Sequence, residues 1–336
     1  MILLLAGGGN PAENLSIFDP ASPPAEAIRS LSVLAFVVTG FIFLVVEGVL
    51  VYSIVRFRRR NAAAGTAEPP QVYGSLPIEI AWTAAPTMIV FGLVLVTTRT
   101  LWEVKKPAPT PAPGDNALFV TVIGRQWWWE YAYDHYNGRP LGFITANELH
   151  VPVSGEGLER RVNLTLKSAD VCHSYWVPRL AGKTDLIPGR VNHTWFQTRE
   201  PGMYLGQCAE YCGTQHANML LRVIVQPAPD FERWLSDQAR PAADGAPADA
   251  KGAFLAQSCV NCHRVRGTPA GGSYAPDLTH LMSRQTIAAG VLENSPENLD
   301  RWVNDPQQFK PGCLMPPFGL SDKDRQLIVR YLETLR

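Results

Sequence analysis

The sequence predicts a multi-domain membrane protein: a two-helix transmembrane hairpin, then an all-β domain, then an all-α domain. Three observations carry this. Two long apolar runs, Leu31–Val55 and Ile78–Thr98, hold a single charge each, Glu47 and Glu79. From Asn116 to about Gln226, short runs of alternating apolar residues are divided by Gly, Pro, Asp and Asn. From Lys251 to Arg336 the apolar spacing turns helical, with Leu327, Ile328, Tyr331, Leu332 and Leu335 on one face.

Each apolar run reaches the ~20 residues that span a bilayer. Pro86 inside the second run is tolerated better in a membrane helix than in a soluble one. The helices are expected at about 31–55 and 78–100, within a hairpin segment over 28–106. The connecting loop carries Arg56, Arg58, Arg59 and Arg60 against Glu68 alone. The segment before the first run has Arg29 against Glu13, Asp19 and Glu26. Basic loops stay in the cytoplasm, so both chain ends and the later domains are expected outside, across a bacterial inner membrane. Residues 1–27 read as a tail; Met1–Ala6 is apolar without a basic start, the texture of a signal remnant.

Pro107, Pro109, Pro111 and Pro113 alternate with small residues, an extended linker over 107–114. The β domain follows over 115–227, expected to be an antiparallel sandwich or barrel. Residues 228–248, rich in Pro and Ala, read as a second linker with one or two helical turns at F-E-R-W-L. The helical domain occupies 249–336. The whole chain has 30 basic and 30 acidic side chains and no net charge. That excludes a strongly basic nucleic-acid binder.

The six cysteines identify the chemistry. Cys259-Val-Asn-Cys262-His263 is C-x-x-C-H, in which two thiols bond a haem covalently and the histidine supplies an axial nitrogen. Half of a zinc site is the rival reading, but no second C-x-x-C follows. A Met thioether is the usual second axial ligand. Met315, in the proline-bounded loop K-P-G-C-L-M-P-P-F, is the favoured candidate over Met282 and His280.

Cys208-Ala-Glu-Tyr-Cys212-Gly-Thr-Gln-His216-Ala-Asn-Met219 is the second constellation. Glycines and a following apolar strand argue for a loop between two β-strands rather than a helix. Two thiolates, an imidazole and a thioether form a soft donor set suited to copper. His173, in S-A-D-V-C-H-S-Y-W, is the best candidate for a second imidazole. Five such ligands exceed one blue-copper ion and suit two coppers bridged by the two sulfurs. A Cys208–Cys212 disulfide is the alternative. Cys172 and Cys313 read as small buried residues, and His135, His150 and His193 as structural.

With these motifs in place, residues 28–336 resemble subunit II of a haem-copper cytochrome c oxidase carrying a fused C-terminal cytochrome c domain. The resemblance implies a cupredoxin fold for the β domain. It implies a dinuclear copper centre, CuA, held by His173, Cys208, Cys212, His216, Met219 and the Glu210 carbonyl. It also implies a magnesium ion shared by the Glu210 side chain at the interface with subunit I. In G-R-Q-W-W-W-E-Y, Trp127 matches the tryptophan where electrons arrive from cytochrome c, with Trp128 and Trp129 as β-core. In I-E-I-A-W-T-A-A-P, Glu79 matches the acid near a proton-channel entrance, and Asp185 and Arg190 match residues near the proton exit. The implied activity is electron transfer from a donor, a cytochrome or an upstream respiratory complex, through haem c and copper to subunit I. There oxygen is reduced to water and protons are pumped, with other oxidase subunits as partners. The alternatives are the electron-input subunit of a copper-containing nitric oxide reductase and, in another class, a membrane-anchored copper chaperone or redox sensor. Met219, His173 and the haem motif disfavour the last.

Overall fold

The computed structural model describes residues 15–58, 71–106, 116–155, 159–243 and 245–336. The Met1–Ala6 segment, Arg59, Arg60 and Glu68 of the basic loop, and the Pro107–Pro113 linker lie outside them. Two compact units result: residues 26–106, and the remainder of the chain.

The first unit holds helices α1 (Pro23–Arg56, its first residues aside) and α2 (Leu76–Val104). Both exceed the expected spans. α1 starts eight residues earlier than read, because Pro23 and Pro24 suit a first helical turn and Glu26 favours its positive end. Almost all apolar side chains of both helices are exposed, as membrane-spanning helices require. Pro86 lies inside α2 without ending it.

The β domain is a sandwich of two five-stranded sheets. One comprises β1 (Leu118–Arg125), β2 (Trp128–Tyr136), β3 (Arg139–Ala146), β5 (Val162–Ser168) and β8 (Asn192–Phe196), in the order β3-β2-β1-β5-β8. The other comprises β4 (Glu148–Pro152), β6 (His173–Trp176), β7 (Thr184–Leu186), β9 (Gly202–Cys208) and β10 (Leu220–Gln226), in the order β4-β10-β9-β6-β7. The sandwich is not wholly antiparallel as expected: β1 pairs with β5, and β4 with β10, in parallel. Long connections separate the members of each pair, which a parallel crossover needs and a hairpin turn cannot give. β1 alternates buried and half-buried residues along its length. Its core includes the fully buried rings Trp129, Tyr131 and Tyr133.

Two segments read as tail and linker belong to this domain. Ala21 donates its amide to Arg179 O at 2.8 Å, and Arg179 pairs with Asp19 at 2.9 Å. Residues 228–238 form helix α3 (Ala228–Gln238), which buries Phe231 and Leu235 in the sandwich core. Trp234 of α3 stacks on His150, with centroids 4.3 Å apart.

His150 Nδ1 lies 2.9 Å from Gln226 Oε1, and burial lowers this histidine to about 4. The unfolded chain protonates it near 6.5, so the fold binds fewer protons between those values. The stability it confers is present above pH 6.5 and lost as pH falls towards 4, roughly 3 kcal/mol at the limit. Thermal unfolding midpoints measured from pH 7 to 4 should fall more steeply for the wild type than for His150→Phe. Parallel profiles would refute this.

The C-terminal domain has helices α4 (Ala248–Leu255), α5 (Cys259–Cys262), α6 (Pro296–Asn304) and α7 (Asp322–Leu332), with a small ribbon of β11 (Thr286–Ile287) and β12 (Leu292–Glu293). Side chains of Ser295 and Ser321 cap α6 and α7 by accepting from Asn298 N and Asp324 N. Phe254 of α4 packs on Tyr331 of α7 with centroids 5.0 Å apart. The face read from the sequence is buried through Ile328, Tyr331, Leu332 and Leu335.

Candidate functional site

β9 ends at Cys208 and β10 begins at Leu220, so Cys208–Met219 is a loop joining two paired strands. Its donors converge. Cys208 Sγ is 3.8 Å from Cys212 Sγ, nearly twice a disulfide bond length. Cys212 Sγ is 3.6 Å from His216 Nδ1 and 3.8 Å from Met219 Sδ. Cys208 Sγ is 3.9 Å from His173 Nδ1 and 3.2 Å from the Glu210 carbonyl oxygen. His173 reaches this point because it opens β6, whose Tyr175 pairs with Cys208. Two sulfurs, two imidazole nitrogens, a thioether and a carbonyl thus surround one buried volume. A soft donor set of this kind fits copper.

Neighbouring residues fix these donors. Asp170 Oδ1 lies 2.7 Å from His173 Nε2, which leaves Nδ1 facing the sulfurs. Burial alone would lower the His173 ring, but Asp170 and Cys208 hold it above its ordinary value. The contact between the two thiols lowers Cys208 and pushes Cys212 up, so one sulfur gives up its proton readily. Gln126 Nε2 and Trp127 Nε1 both donate to the Cys212 carbonyl, at 2.7 and 3.0 Å. Gly213 has φ +118°, and a Cβ there would lie 3.0 Å from the Trp127 ring. Only glycine lets the loop close on that indole.

Trp127 also lines an apolar cavity of about 190 Å³. Cys259, Cys262, His263 and Met315 line the same cavity. His263 Nδ1 lies 2.7 Å from the Pro276 carbonyl; as donor there it leaves Nε2 free to ligate. Burial lowers this histidine, which keeps it neutral. Gly272 packs on the motif so closely that a Cβ would meet the Cys262 carbonyl carbon at 2.4 Å. Met282 packs instead against the domain core, and both ring nitrogens of His280 are engaged by the Arg336 and Arg240 carbonyls. The cavity lining therefore offers two thiols and an imidazole to a covalent haem, and includes the Met315 thioether.

A family model described as cytochrome c oxidase subunit II, periplasmic domain, matches residues 118–226, and its transmembrane-domain counterpart matches 11–99. A cytochrome c model matches 247–336. Cytochrome c oxidase subunit 2 of Alkalihalophilus pseudofirmus is 34% identical over 329 residues, covering 96% of this chain and 92% of its own. The chain belongs to the cytochrome c oxidase subunit II family. The Bacillus subtilis relative is 32% identical and covers 99% of this chain and 95% of its own. The crystal structure of the periplasmic domain of subunit II from Bradyrhizobium japonicum is 30% identical, with TM-score 0.33, covering 38% of this chain and 96% of that one. As a subunit II with a cytochrome c domain, the protein is part of a haem-copper oxidase, an oxidoreductase. The family's periplasmic domain implies copper, and the cytochrome c domain implies haem c.

Glu79 lies in the first turn of α2, exposed, its carboxylate accepting from Ser75 N at 3.2 Å. Glu210 also exposes its side chain. Two sequence readings need correction: Cys172 is exposed and Cys313 half-buried, because both sit in loops beside the donors rather than in strands. Trp128 is not core either. It is half-buried on the cavity wall with Arg125 over its ring, since adjacent strand residues face opposite ways and Trp129 takes the interior. Asp170, Gln126, Arg284 and Lys310 escaped sequence reasoning. Asp170, three residues before His173, had a local signal; the others are brought in by the fold. Arg284 lines the cavity with its Nε buried and unpartnered among the described residues, a position suited to a carboxylate of the haem.

Proposed function

We propose that this chain is the electron-input subunit of a terminal oxidase. It takes electrons from an external donor and passes them to subunit I, where oxygen is reduced to water with proton pumping. The observation that supports it is the placement of Trp127. Its indole bonds the carbonyl of Cys212 and lines the cavity of the C-x-x-C-H motif.

When bound, haem c and the copper pair would supply one-electron carriers. Cys259 and Cys262 would anchor the haem, His263 and Met315 would supply its nitrogen and thioether ligands, and Arg284 would take a carboxylate. His173, Cys208, Cys212, His216 and Met219, with the Glu210 carbonyl, would hold copper. Asp170 orients His173, and Gln126 fixes the Cys212 backbone. The exposed Glu210 carboxylate is free to share a magnesium ion with subunit I. Glu79, at the start of a membrane helix, is placed to pass protons from the inner phase into that subunit. In this reading both outer domains lie on the periplasmic side of a bacterial inner membrane.

The test is spectroscopic. The full chain, matured with haem and copper, should show a low-spin His/Met haem and an EPR signal of one unpaired electron shared by two coppers. Rapid reduction of the haem should be followed by reduction of the copper pair. A mononuclear blue-copper signal, or zinc alone, would overturn the reading.

A further inference from the structure

Residues 115–227 carry 10 basic and 10 acidic side chains and residues 249–336 carry 10 and 9, so a linker rather than charge steering is expected to bring haem to copper. The structure adds bonds between the domains, and five of them use two buried charges. Glu148, at the start of β4 in the copper domain, is 1% exposed. Its carboxylate accepts from Gln285 N at 2.9 Å, and from Thr286 N and Thr286 Oγ1 at 2.8 Å each, all in the haem domain. Lys310 of the haem domain is 3% exposed. Its Nζ donates to Trp127 O at 2.9 Å and Asn218 O at 3.0 Å in the copper domain, and to Ala288 O at 3.3 Å in its own. Around them Gln215 Nε2 donates to Pro311 O at 2.6 Å and Leu220 N to Ala289 O at 3.2 Å.

Each buried charge is satisfied largely by main-chain groups of the opposite domain. A pose shifted by a residue or two would strip these bonds from a buried carboxylate, leaving it only the neighbouring Arg222, and from a buried ammonium. Charges of this kind add little net strength but select one register. The register they select places Trp127 and the copper loop against the haem cavity, since Lys310 bonds both Trp127 and the residue before Met219.

We infer that Glu148 and Lys310 are positioning residues that lock the haem domain onto the copper domain in one docked pose. Transfer between the two cofactors then occurs inside a fixed complex rather than after tethered diffusion. The inference rests on the electron-input reading for its purpose, but the lock itself is a matter of docking.

The experiment compares the assembled wild-type oxidase with Lys310→Met and Glu148→Gln. Hydrogen exchange at residues 285–290 reports docking, and fast reduction of the haem reports the internal transfer. In the wild type the exchange should be protected and the transfer independent of added viscosogen. In each variant the haem and copper spectra should persist and the exchange should rise about tenfold or more. The transfer should slow by a similar factor and become viscosity-dependent. Unchanged exchange and transfer in both variants, or a viscosity-dependent wild type, would overturn the inference. Protected exchange in a wild type without a copper-pair signal would refute the electron-input reading and leave the lock standing.

Discussion

Replacing Cys212 with Ala should lower electron delivery to oxygen by at least about two orders of magnitude, more than the 10–100-fold typical of losing an outer partner of a metal ligand. Cys212 is the hub of the loop. Its sulfur lies within 3.8 Å of Cys208 Sγ, His216 Nδ1 and Met219 Sδ, and its carbonyl receives both Gln126 and Trp127. Without it, one of the two thiolates is gone, and the remaining donors split into two incomplete sets around Cys208 and His216. Copper analysis should drop from two ions per chain to one or fewer, and the shared-electron EPR signal should vanish. Cys172→Ala, one residue from His173 but with an exposed thiol, is the matched control and should retain both coppers. Equal copper loss in the two variants would show that the effect is general damage rather than ligation.

The fold classes were legible because each part carries a different period. Two unbroken apolar runs, a twofold alternation and a helical face cannot be confused with one another, and all three parts formed, the β part with two parallel pairings that its alternation does not announce. The boundaries were less legible. Residues 228–238 look like linker because their composition is polar, yet Phe231, Trp234 and Leu235 are spaced to lay one face on the sandwich. The donors within the loop were legible for a simple reason: Cys208, Cys212, His216 and Met219 are neighbours in sequence, so their meeting needs only a tight loop. His173 was found by its surroundings, and the fold brings it in through the pairing of β6 with β9. The residues that were missed act across long separations. Gln126 reaches Cys212, and Lys310 reaches Trp127, only because two sheets and then two domains close on one another. Nothing local to a lysine foretells three backbone carbonyls waiting for it.

Replacing both Cys259 and Cys262 with Ser should abolish covalent haem and unfold the C-terminal domain while sparing the copper loop. The cavity that the motif lines is continuous with the domain core: Leu281, Ile287, Leu299, Val303 and Leu332 belong to both. Those side chains face the space a tetrapyrrole fills, so without it they border a cavity of about 190 Å³. Losing the haem contacts along this apolar wall costs on the order of 5 kcal/mol, comparable to the whole stability of a small domain. The copper domain has its own sandwich core, which includes none of the haem-domain residues, and should survive. On a denaturing gel the haem stain should disappear. Hydrogen exchange should rise throughout 248–336 and stay low in β9 and β10, and the copper EPR signal should persist. Intact protection of α4 and α7 in the stain-free variant would show that the helices hold the domain unaided. A retained stain would show that these thiols are not the attachment points. Loss of the copper signal as well would make the two domains one folding unit, with Glu148 and Lys310 coupling stability as well as position.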